Sequence, residues 1–316
     1  MRFLTADCGG TRIKLGLVAD SLVVAMKVIE SCPTRSIAGT VEIIALCFES
    51  LCQEAGWLIS DCEAMLLALP VIVSPHTNRV TATFGKFDDS VGFEFEHWAQ
   101  QRLGLRLMLE NDARAAVLGE WSHGAGKGVE NLVMVTLGTG IGTAVICEGS
   151  PLRGRNGMAG ILGGHTITHF GGAKCGCGAE GCLEAQISSR AMVDFARGQP
   201  DFDSSPLARE RVLDYEAISR HAAEGDPLAL KIWQRALEGW AALLINLIHG
   251  YDPERIVIGG GIMSNSDAIL PRLQSIVGRQ ATQPFGSVEI VSSKLGDSAA
   301  LLGAAWLWNR RISKAA

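Results

Sequence analysis

The stretch RFLTADCGGTRIKLGLVAD (residues 2–20) contains two apolar runs that are joined at a Gly-Gly pair. After the glycines, Ile13, Leu15 and Leu17 alternate with small or polar residues, which is the two-residue period of a β-strand. A dinucleotide-binding fold instead places a helix directly after its glycines. The stretch therefore predicts a β-hairpin with a glycine turn.

A second stretch of the same kind, NLVMVTLGTGIGTAVICEG, occupies residues 131–149. Apolar runs at 132–137 and 144–147 flank the glycine-rich turn 138–142, and the pattern after the glycines is again not helical. Two glycine hairpins, about one in each half of the chain, predict two related domains that face each other.

The rest of the chain alternates predicted strands and helices. Helices are predicted at residues 40–55, 95–103, 112–120, 227–249 and 298–308, strands at 64–69 and 255–258, and a loop at 198–206. This alternation is typical of an α/β protein.

Composition limits the class of protein. The 316 residues are 47% hydrophobic and 19% charged, which indicates a globular chain with length for two domains. The net charge of −5 argues against nucleic acid or an anionic membrane as the main partner. Without an N-terminal apolar region, a long apolar run or paired cysteine spacing, we expect a cytoplasmic protein with reduced thiols.

Both glycine turns predict phosphate binding, because consecutive glycines let backbone N–H groups converge on an anion. Thr11 and Thr139 add hydroxyl groups, and Asp7 would hold Mg²⁺ beside the first turn, directly or through water. Two ordinary hairpin turns are the alternative. The pair of turns and a third glycine loop at 259–261 favour the phosphate interpretation, although no P-loop motif is present.

The stretch LENDARAAVLGEW (residues 109–121) places Asn111 and Asp112 where a strand meets a helix. Phosphoryl transfer needs a positioned acceptor hydroxyl and a carboxylate that takes its proton. Asp112 suits the role of base, and Asn111 could orient the acceptor. Helix capping is the alternative, and by itself it is the commoner role of Asn-Asp before a helix.

The stretch GGHTITHFGGAKCGCGAEGC (residues 163–182) predicts a metal site. His165, Cys175, Cys177 and Cys182 form a candidate Cys₃His set, and Zn²⁺ held by four such ligands is structural. The Cys-x-Cys spacing differs from that of thioredoxin-like redox sites. His169 competes with His165 as the fourth ligand, and the residues alone leave this open.

These motifs together resemble the ROK family of bacterial repressors, open reading frames and sugar kinases. The resemblance spans nearly the whole chain and rests on DCGGT (7–11), ENDA (110–113), LGTGIG (137–142), GH (164–165), CGCGAEGCLE (175–184) and IVIGGGIM (256–263). The zinc signature is highly specific, whereas the glycine motifs are shared with the wider actin-like ATPase superfamily.

The resemblance implies an α/β fold of two ribonuclease-H-like (actin-like ATPase) domains around a cleft, with a zinc-binding loop. The expected smaller domain is 1–110, joined by a C-terminal helix at 298–316, and the larger domain is 111–297.

The resemblance also implies a kinase that transfers phosphate from ATP with Mg²⁺ to a hexose such as glucose or an N-acetylhexosamine, commonly at the 6-hydroxyl. Asp112 would deprotonate that hydroxyl, while Asn111 and Glu184 would bind neighbouring hydroxyls. His165 would bind a structural zinc through one ring nitrogen and face the sugar with the other. A homo-oligomer, such as a dimer, is expected. The expected ATP and phosphate contacts are Asp7, Gly9, Gly10, Thr11, Lys14, Gly138, Thr139, Gly140, Gly260 and Gly261.

Two departures bear on the identity of the sugar. Family kinases carry a Glu in an AGExGH-like string, but residues 159–165 here read AGILGGH, one residue longer and without a carboxylate. The usual Gly-Pro-Val-Asp-like stretch is replaced by PVIVSP at 70–75. Asp88 is a candidate substitute carboxylate, and a solvated turn is its alternative.

Two further functions compete with the kinase. ROK regulators carry a helix-turn-helix domain before the first phosphate motif, and that motif starts here at Asp7, so a regulator is not expected. A sugar sensor without turnover is the third possibility. The kinase is favoured because Asp7, Asn111, Asp112 and both glycine turns are present.

Overall fold

The computed structural model describes residues 1–31, 36–284 and 286–315, so Cys32, one of the thiols expected to be reduced, lies outside the described residues. Its strands are β1 (Arg2–Cys8), β2 (Arg12–Ala19), β3 (Leu22–Glu30), β4 (Ala64–Leu69), β5 (Ile72–Val73), β6 (Val80–Ala82), β7 (Leu107–Asn111), β8 (Leu132–Leu137), β9 (Ile141–Cys147), β10 (Ser150–Pro151), β11 (Arg255–Gly259) and β12 (Glu289–Ser292). Its α-helices are α1 (Ile37–Ala55), α2 (Phe95–Leu103), α3 (Asp112–His123), α4 (Glu184–Ile187), α5 (Ser189–Arg197), α6 (Tyr215–Ala223), α7 (Pro227–Tyr251), α8 (Ser266–Gln280) and α9 (Ala299–Ala315).

The first sheet has the strand order β3-β2-β1-β4-β7. The hairpin predicted at residues 2–20 is confirmed: β1 and β2 pair antiparallel, with Asp7 opposite Lys14. Strands β4 and β7 extend the sheet in parallel with β1. The carboxyl ends of β1 and β7 therefore lie at the same edge of the sheet, and this brings Asp7 toward the junction of β7 and α3.

The second sheet has the order β10-β9-β8-β11-β12. Strands β8 and β9 are joined by residues 138–140, and a connection this short permits only antiparallel pairing. Counted along the chain, both sheets share the order third, second, first, fourth, fifth strand. A glycine hairpin thus begins each sheet, and the predicted α/β class is confirmed.

Two compact units are distinguished by their internal contacts. The first unit comprises residues 1–132, 144–161 and 293–316, and the second unit comprises 133–143 and 162–292. Residues 111–132, 144–161 and 293–297, which were expected in the larger domain, belong here to the first unit.

Close packing of α3 on α9 accounts for this assignment. A Cβ on Gly119 would lie 1.9 Å from the carbonyl oxygen of Ala299, and a Cβ on Gly303 would lie 1.8 Å from that of Ala115. Only glycine at both positions lets the two helix backbones touch. The helix that carries Asp112 is therefore held within the first unit.

The first sheet is covered on both faces. Because successive residues of a strand point to opposite sides, neighbouring residues of β1 pack in different cores. Leu4 packs in a core with Phe48 of α1. Its neighbour Phe3 packs in a second core with Leu301 and Trp308 of α9. The strand that carries Asp7 is thus buried from Phe3 to Cys8.

The predicted helices at 40–55, 95–103, 112–120, 227–249 and 298–308 are confirmed as α1, α2, α3, α7 and α9, and the predicted strands as β4 and β11. Residues 198–206, predicted as a loop, contain a 3₁₀ turn at Phe202–Ser204, and another begins at Pro206. Among the described residues, none of the helices combines the length and apolarity that crossing a membrane requires.

Candidate active site

Asn111 and Asp112 lie at the junction of β7 and α3. The Asn111 Oδ1 accepts a hydrogen bond from the Arg114 amide at 3.1 Å, and its Nδ2 donates to the Val71 carbonyl at 3.2 Å. Asn111 is therefore the N-cap of α3, as the capping alternative predicted. The carboxylate of Asp112 remains in the first helical turn, where its Oδ1 accepts from the Ala113 amide at 2.8 Å.

The environment of Asp112 tunes its acidity. Burial, with the nearby negative charge of Asp7, raises the pKa of Asp112 to about 6. The Ala113 amide and the positive charges of Lys86 and Lys14 oppose this rise in pKa. A carboxylate with a pKa just below neutrality is ionised at pH 7 and still holds a proton well, which are the properties of a general base.

Lys14 joins two carboxylates beside this junction. Its Nζ lies 3.1 Å from Asp7 Oδ2 and 3.2 Å from Asp297 Oδ1. Burial raises the pKa of Asp7 in spite of the lowering effect of Lys14. Lys14, which the motif assigned to ATP, therefore has two acidic partners within the protein.

A buried ionic network supports the junction from behind. The Glu110 Oε1 accepts from Arg114 Nη1 at 2.9 Å and from the Asn111 amide at 2.9 Å, while Arg153 pairs with Oε2. The Arg114 Nη2 also donates to the Gly157 carbonyl at 2.8 Å. Burial alone would raise the pKa of Glu110, but the charges of Arg153 and Arg114 together hold that pKa below its usual value. The network ties the start of α3 to the segment 152–159.

The four predicted zinc ligands lie together in the second unit. The ligand atoms of His165, Cys175, Cys177 and Cys182 are all within 4.8 Å of one another. His165 Nδ1 is 3.4 Å from Cys175 Sγ, and the Cys177 and Cys182 sulfurs are 3.6 Å apart. Tetrahedral Zn²⁺ with ordinary bond lengths separates such ligand atoms by about 3.6–3.8 Å, so the donor set fits zinc. His169 is exposed and is outside this group.

The second and third glycine loops meet near Glu184. The Glu184 Oε2 accepts from the Ile141 amide at 2.7 Å, at the start of β9 and directly after the turn that joins β8 and β9. A Cβ on Gly260 would lie 2.2 Å from the Leu137 carbonyl oxygen, so the third loop touches the end of β8. Of the residues predicted to contact ATP, Gly138 and Gly260 are thus close neighbours within the second unit.

The segment 83–90 holds Asp88 on an exposed turn. Asp88 accepts a hydrogen bond from the Thr83 hydroxyl. Its neighbour Asp89 accepts from the Ile37 amide at 2.9 and 3.0 Å and from the Ser36 hydroxyl at 2.9 Å, at the start of α1. Asp89 therefore has a structural role, whereas the sugar contact suggested for Asp88 stays a prediction.

Sequence comparison matches residues 3–311 to the ROK family. The chain belongs to the ROK family. Among its relatives, the glucokinase of Thermotoga maritima is 32% identical over 99% of this chain and 98% of that protein. The N-acetylmannosamine kinase of Salmonella arizonae is 28% identical over 97% of this chain and 98% of that protein. The structure of a ROK family glucokinase from Streptomyces griseus, in complex with glucose and AMPPNP, has a TM-score of 0.82 at 28% identity, covering 97% and 99% of the two chains.

These similarities confirm the family and the actin-like fold class that the motifs of this ROK chain imply. Within the departure at 159–165, Ile161 is buried and apolar, so no carboxylate is supplied from this position.

Three features of this ROK chain were missed from sequence. Lys86 is in a loop without a motif, yet its Nζ would lie 3.0 Å from a Cβ on Gly10 in the first glycine turn. Asp297 is far from Asp7 along the chain, yet both carboxylates pair with Lys14. The pair formed by Glu110 and Arg114 joins the end of β7 to the first turn of α3, and helical spacing does not predict it because Glu110 precedes the helix.

Proposed function

We propose that the chain is an ATP-dependent sugar kinase that transfers the γ-phosphoryl group of Mg-ATP to a hexose hydroxyl. The observation that carries this proposal is Asp112, a carboxylate with a pKa of about 6 at the start of α3, beside Asp7 and the first glycine turn. The names of the glucokinase and N-acetylmannosamine kinase relatives support the same reaction class.

In the proposed reaction Asp112 accepts the proton of the sugar hydroxyl, most simply the 6-hydroxyl. The hydroxyl oxygen then forms a bond to the γ-phosphorus, and the bond between that phosphorus and the β,γ-bridging oxygen breaks. ADP leaves with the electron pair of the broken bond. The proton stays on Asp112 until it passes to water, since the pKa of about 6 allows its release at neutral pH.

Four residues are proposed to bind the acceptor. Asn111 uses one Nδ2 hydrogen for Val71, which leaves its second for a sugar hydroxyl. His165 and Glu184 flank the cysteine cluster in the chain, and Asp88 is a candidate for the carboxylate missing from 159–165. Glu184 accepts from Ile141 through Oε2, so its sugar contact would use Oε1.

The ATP phosphates are proposed to bind the backbone of the two glycine turns and the hydroxyls of Thr11 and Thr139. The glycines involved are Gly9, Gly10, Gly138 and Gly140, with Gly260 and Gly261 on the adenosine side. Asp7 fits Mg²⁺ because it is a buried carboxylate close to two others: the charge of Asp297 raises the pKa of Asp7, and the charge of Asp7 raises the pKa of Asp112. When bound, Mg²⁺ would neutralise charge on the transferred phosphate.

The cysteine cluster is proposed to hold one structural Zn²⁺. Three thiolates and one imidazole complete a tetrahedral shell, so no ligand position is left for water or substrate. The loop 163–182 contains few residues that could form an apolar core, and the metal would supply its stability. The bound metal would thereby orient His165 and the following Glu184.

The two histidines of this loop provide a matched pair of variants. We expect His165→Ala to lower the zinc content from about one per chain to well below half, because it removes one of four ligands. His169→Ala should retain the wild-type zinc content, since His169 is exposed and outside the cluster. Elemental analysis after dialysis against a mild chelator measures both. Zinc loss in the His169 variant with retention in the His165 variant would reverse the ligand assignment.

The decisive experiment for the proposed function is a coupled ADP assay with Mg-ATP and a panel of hexoses and N-acetylhexosamines. At least one sugar should give turnover well above the rate of ATP hydrolysis without sugar. If every sugar fails while some bind in calorimetry, the chain is a sugar sensor and the kinase proposal is wrong.

A further inference from the structure

Lys86 is close to the first glycine turn and to Asp112, the predicted phosphate site and the predicted base of the proposed reaction. Its Nζ would be 3.0 Å from a Cβ on Gly10, so the ammonium lies against the first glycine turn. The positive charge of Lys86 also lowers the pKa of Asp112, which places it within electrostatic reach of that carboxylate. A single flexible side chain therefore faces both the predicted phosphate turn and the predicted base.

The loop that carries Lys86 is held in a strained conformation. Phe87 has a φ of 53° and a ψ of 44°, in the left-handed region, which is sterically unfavourable for a bulky residue. The Phe87 side chain is 3% exposed in the core of the first unit, and its carbonyl accepts from the Ser90 amide at 2.8 Å. Asp89 binds the start of α1. Strain of this kind persists where surrounding contacts impose it, and it concentrates at functional sites.

The two lysines of this centre differ in their partners. Lys14 is paired with Asp7 and Asp297. Lys86 forms no ion pair of 4 Å or less with any residue of the described ranges. A half-buried lysine that has no counter-ion among the described residues and lies next to a turn of backbone N–H groups is suited to an anionic ligand.

We propose that Lys86 is a catalytic residue that binds the oxygens of the transferring γ-phosphoryl group beside Gly10. This inference rests on the proposed kinase function. The ammonium would neutralise the negative charge of the γ-phosphoryl oxygens and thereby ease the approach of the attacking hydroxyl oxygen. It would also keep Asp112 ionised at neutral pH. The lysine ammonium is a compact point charge on a flexible stem, so its positive charge can follow the phosphoryl group as that group moves.

Nucleotide binding tests the contact without requiring turnover. Calorimetry should show that Lys86→Met binds Mg-AMPPNP about tenfold or more weakly than the wild type does. The variant should bind Mg-ADP with wild-type affinity, because ADP has no γ-phosphoryl group. Lys27→Met, at a half-buried lysine on β3, is the matched control and should change neither affinity. Equal binding of AMPPNP by wild type and Lys86→Met would overturn the proposal, even if no sugar is ever found.

Kinetics with an active neutral hexose provide the second arm. We expect Lys86→Met to lower kcat about 10²–10³-fold, with little change in the KM for sugar, and to move the acidic limb of the pH profile to higher pH. Lys86→Arg keeps the charge and should keep the acidic limb in place. If Lys86→Met loses activity only with a sugar acid and keeps it with the neutral hexose, Lys86 binds the acceptor and the proposal is wrong. If the wild type shows no turnover with any sugar, the kinase proposal is refuted. The nucleotide-binding test then decides whether Lys86 binds the γ-phosphoryl group.

Discussion

Asp112→Asn is expected to lower kcat for sugar phosphorylation by about 10²–10⁴-fold, because the amide cannot accept the hydroxyl proton. The same variant is expected to unfold less readily than the wild type at pH 7.5. Both effects follow from one environment: burial and the charge of Asp7 raise the pKa of Asp112 to about 6. A coupled ADP assay and urea denaturation measure the two changes on the same preparations.

The stability effect has a defined pH window. Because the pKa of Asp112 is about 6 in the folded chain and near 3.8 for an ordinary Asp, its ionisation costs folding stability. This cost begins as the pH rises above about 4 and is complete above about 6. We expect Asp112→Asn to raise the free energy of unfolding by about 1–3 kcal/mol at pH 7.5 and to leave it unchanged at pH 4.

The activity has a pH window of its own. Wild-type kcat/KM should fall about tenfold per pH unit below pH 6, as Asp112 becomes protonated. Asp267→Asn, at an exposed Asp in the first turn of α8, is the matched control and should alter neither activity nor stability at pH 7.5. A full rate for Asp112→Asn, or a flat profile between pH 5 and 8, would show that another group is the base.

Arg114→Met is expected to lower the free energy of unfolding by about 3–5 kcal/mol, the second large effect. The Arg114 side chain is fully buried and pairs with Glu110, and it also donates to the carbonyls of Gly157 and Ala159. Methionine fills the volume but leaves the Glu110 charge with one partner fewer and the carbonyls without their donor. Urea denaturation at pH 7.5 measures the loss.

Arg102→Met is the matched control for this network. Arg102 also contacts two carboxylates, those of Glu42 and Glu49, but its side chain is 29% exposed and the acids more so. Exposed ion pairs contribute at most about 1 kcal/mol, so this variant should be nearly as stable as the wild type. Equal losses for Arg114→Met and Arg102→Met would show that the buried network contributes no more than a surface pair.

The features read correctly from sequence are those encoded within short segments. The alternation around residues 2–20 predicts β1 and β2, and the apolar run at 64–69 predicts β4, because strand period and turn chemistry act between near neighbours. The zinc candidates come from one loop, so their spacing alone brings them close. Strand β3 was missed because most of its exposed positions are apolar like its half-buried ones, so the sequence shows no two-residue period there; the exposed apolar residues are Leu22, Val24, Met26 and Val28.

The composition of the centre around Asp112 depended on contacts between distant segments. Lys86, Asp297 and Asp7 come from different parts of the chain, and no local pattern predicts that they meet. The same holds for the assignment of α3 to the first unit, which follows from glycines on two helices far apart in sequence.

The family and the two glycine hairpins could be predicted from the sequence, because local periodicity and motif spacing encode them, and the same motifs single out the zinc candidates and Asp112 as the proposed base. The packing of separate segments established that Asn111 caps α3, that Lys14 is paired with two acids, and that Lys86 lies against Gly10. It also decided that the pKa of Asp112 is raised to about 6. Burial and the positions of charges set a pKa, and both arise only when separate segments pack together.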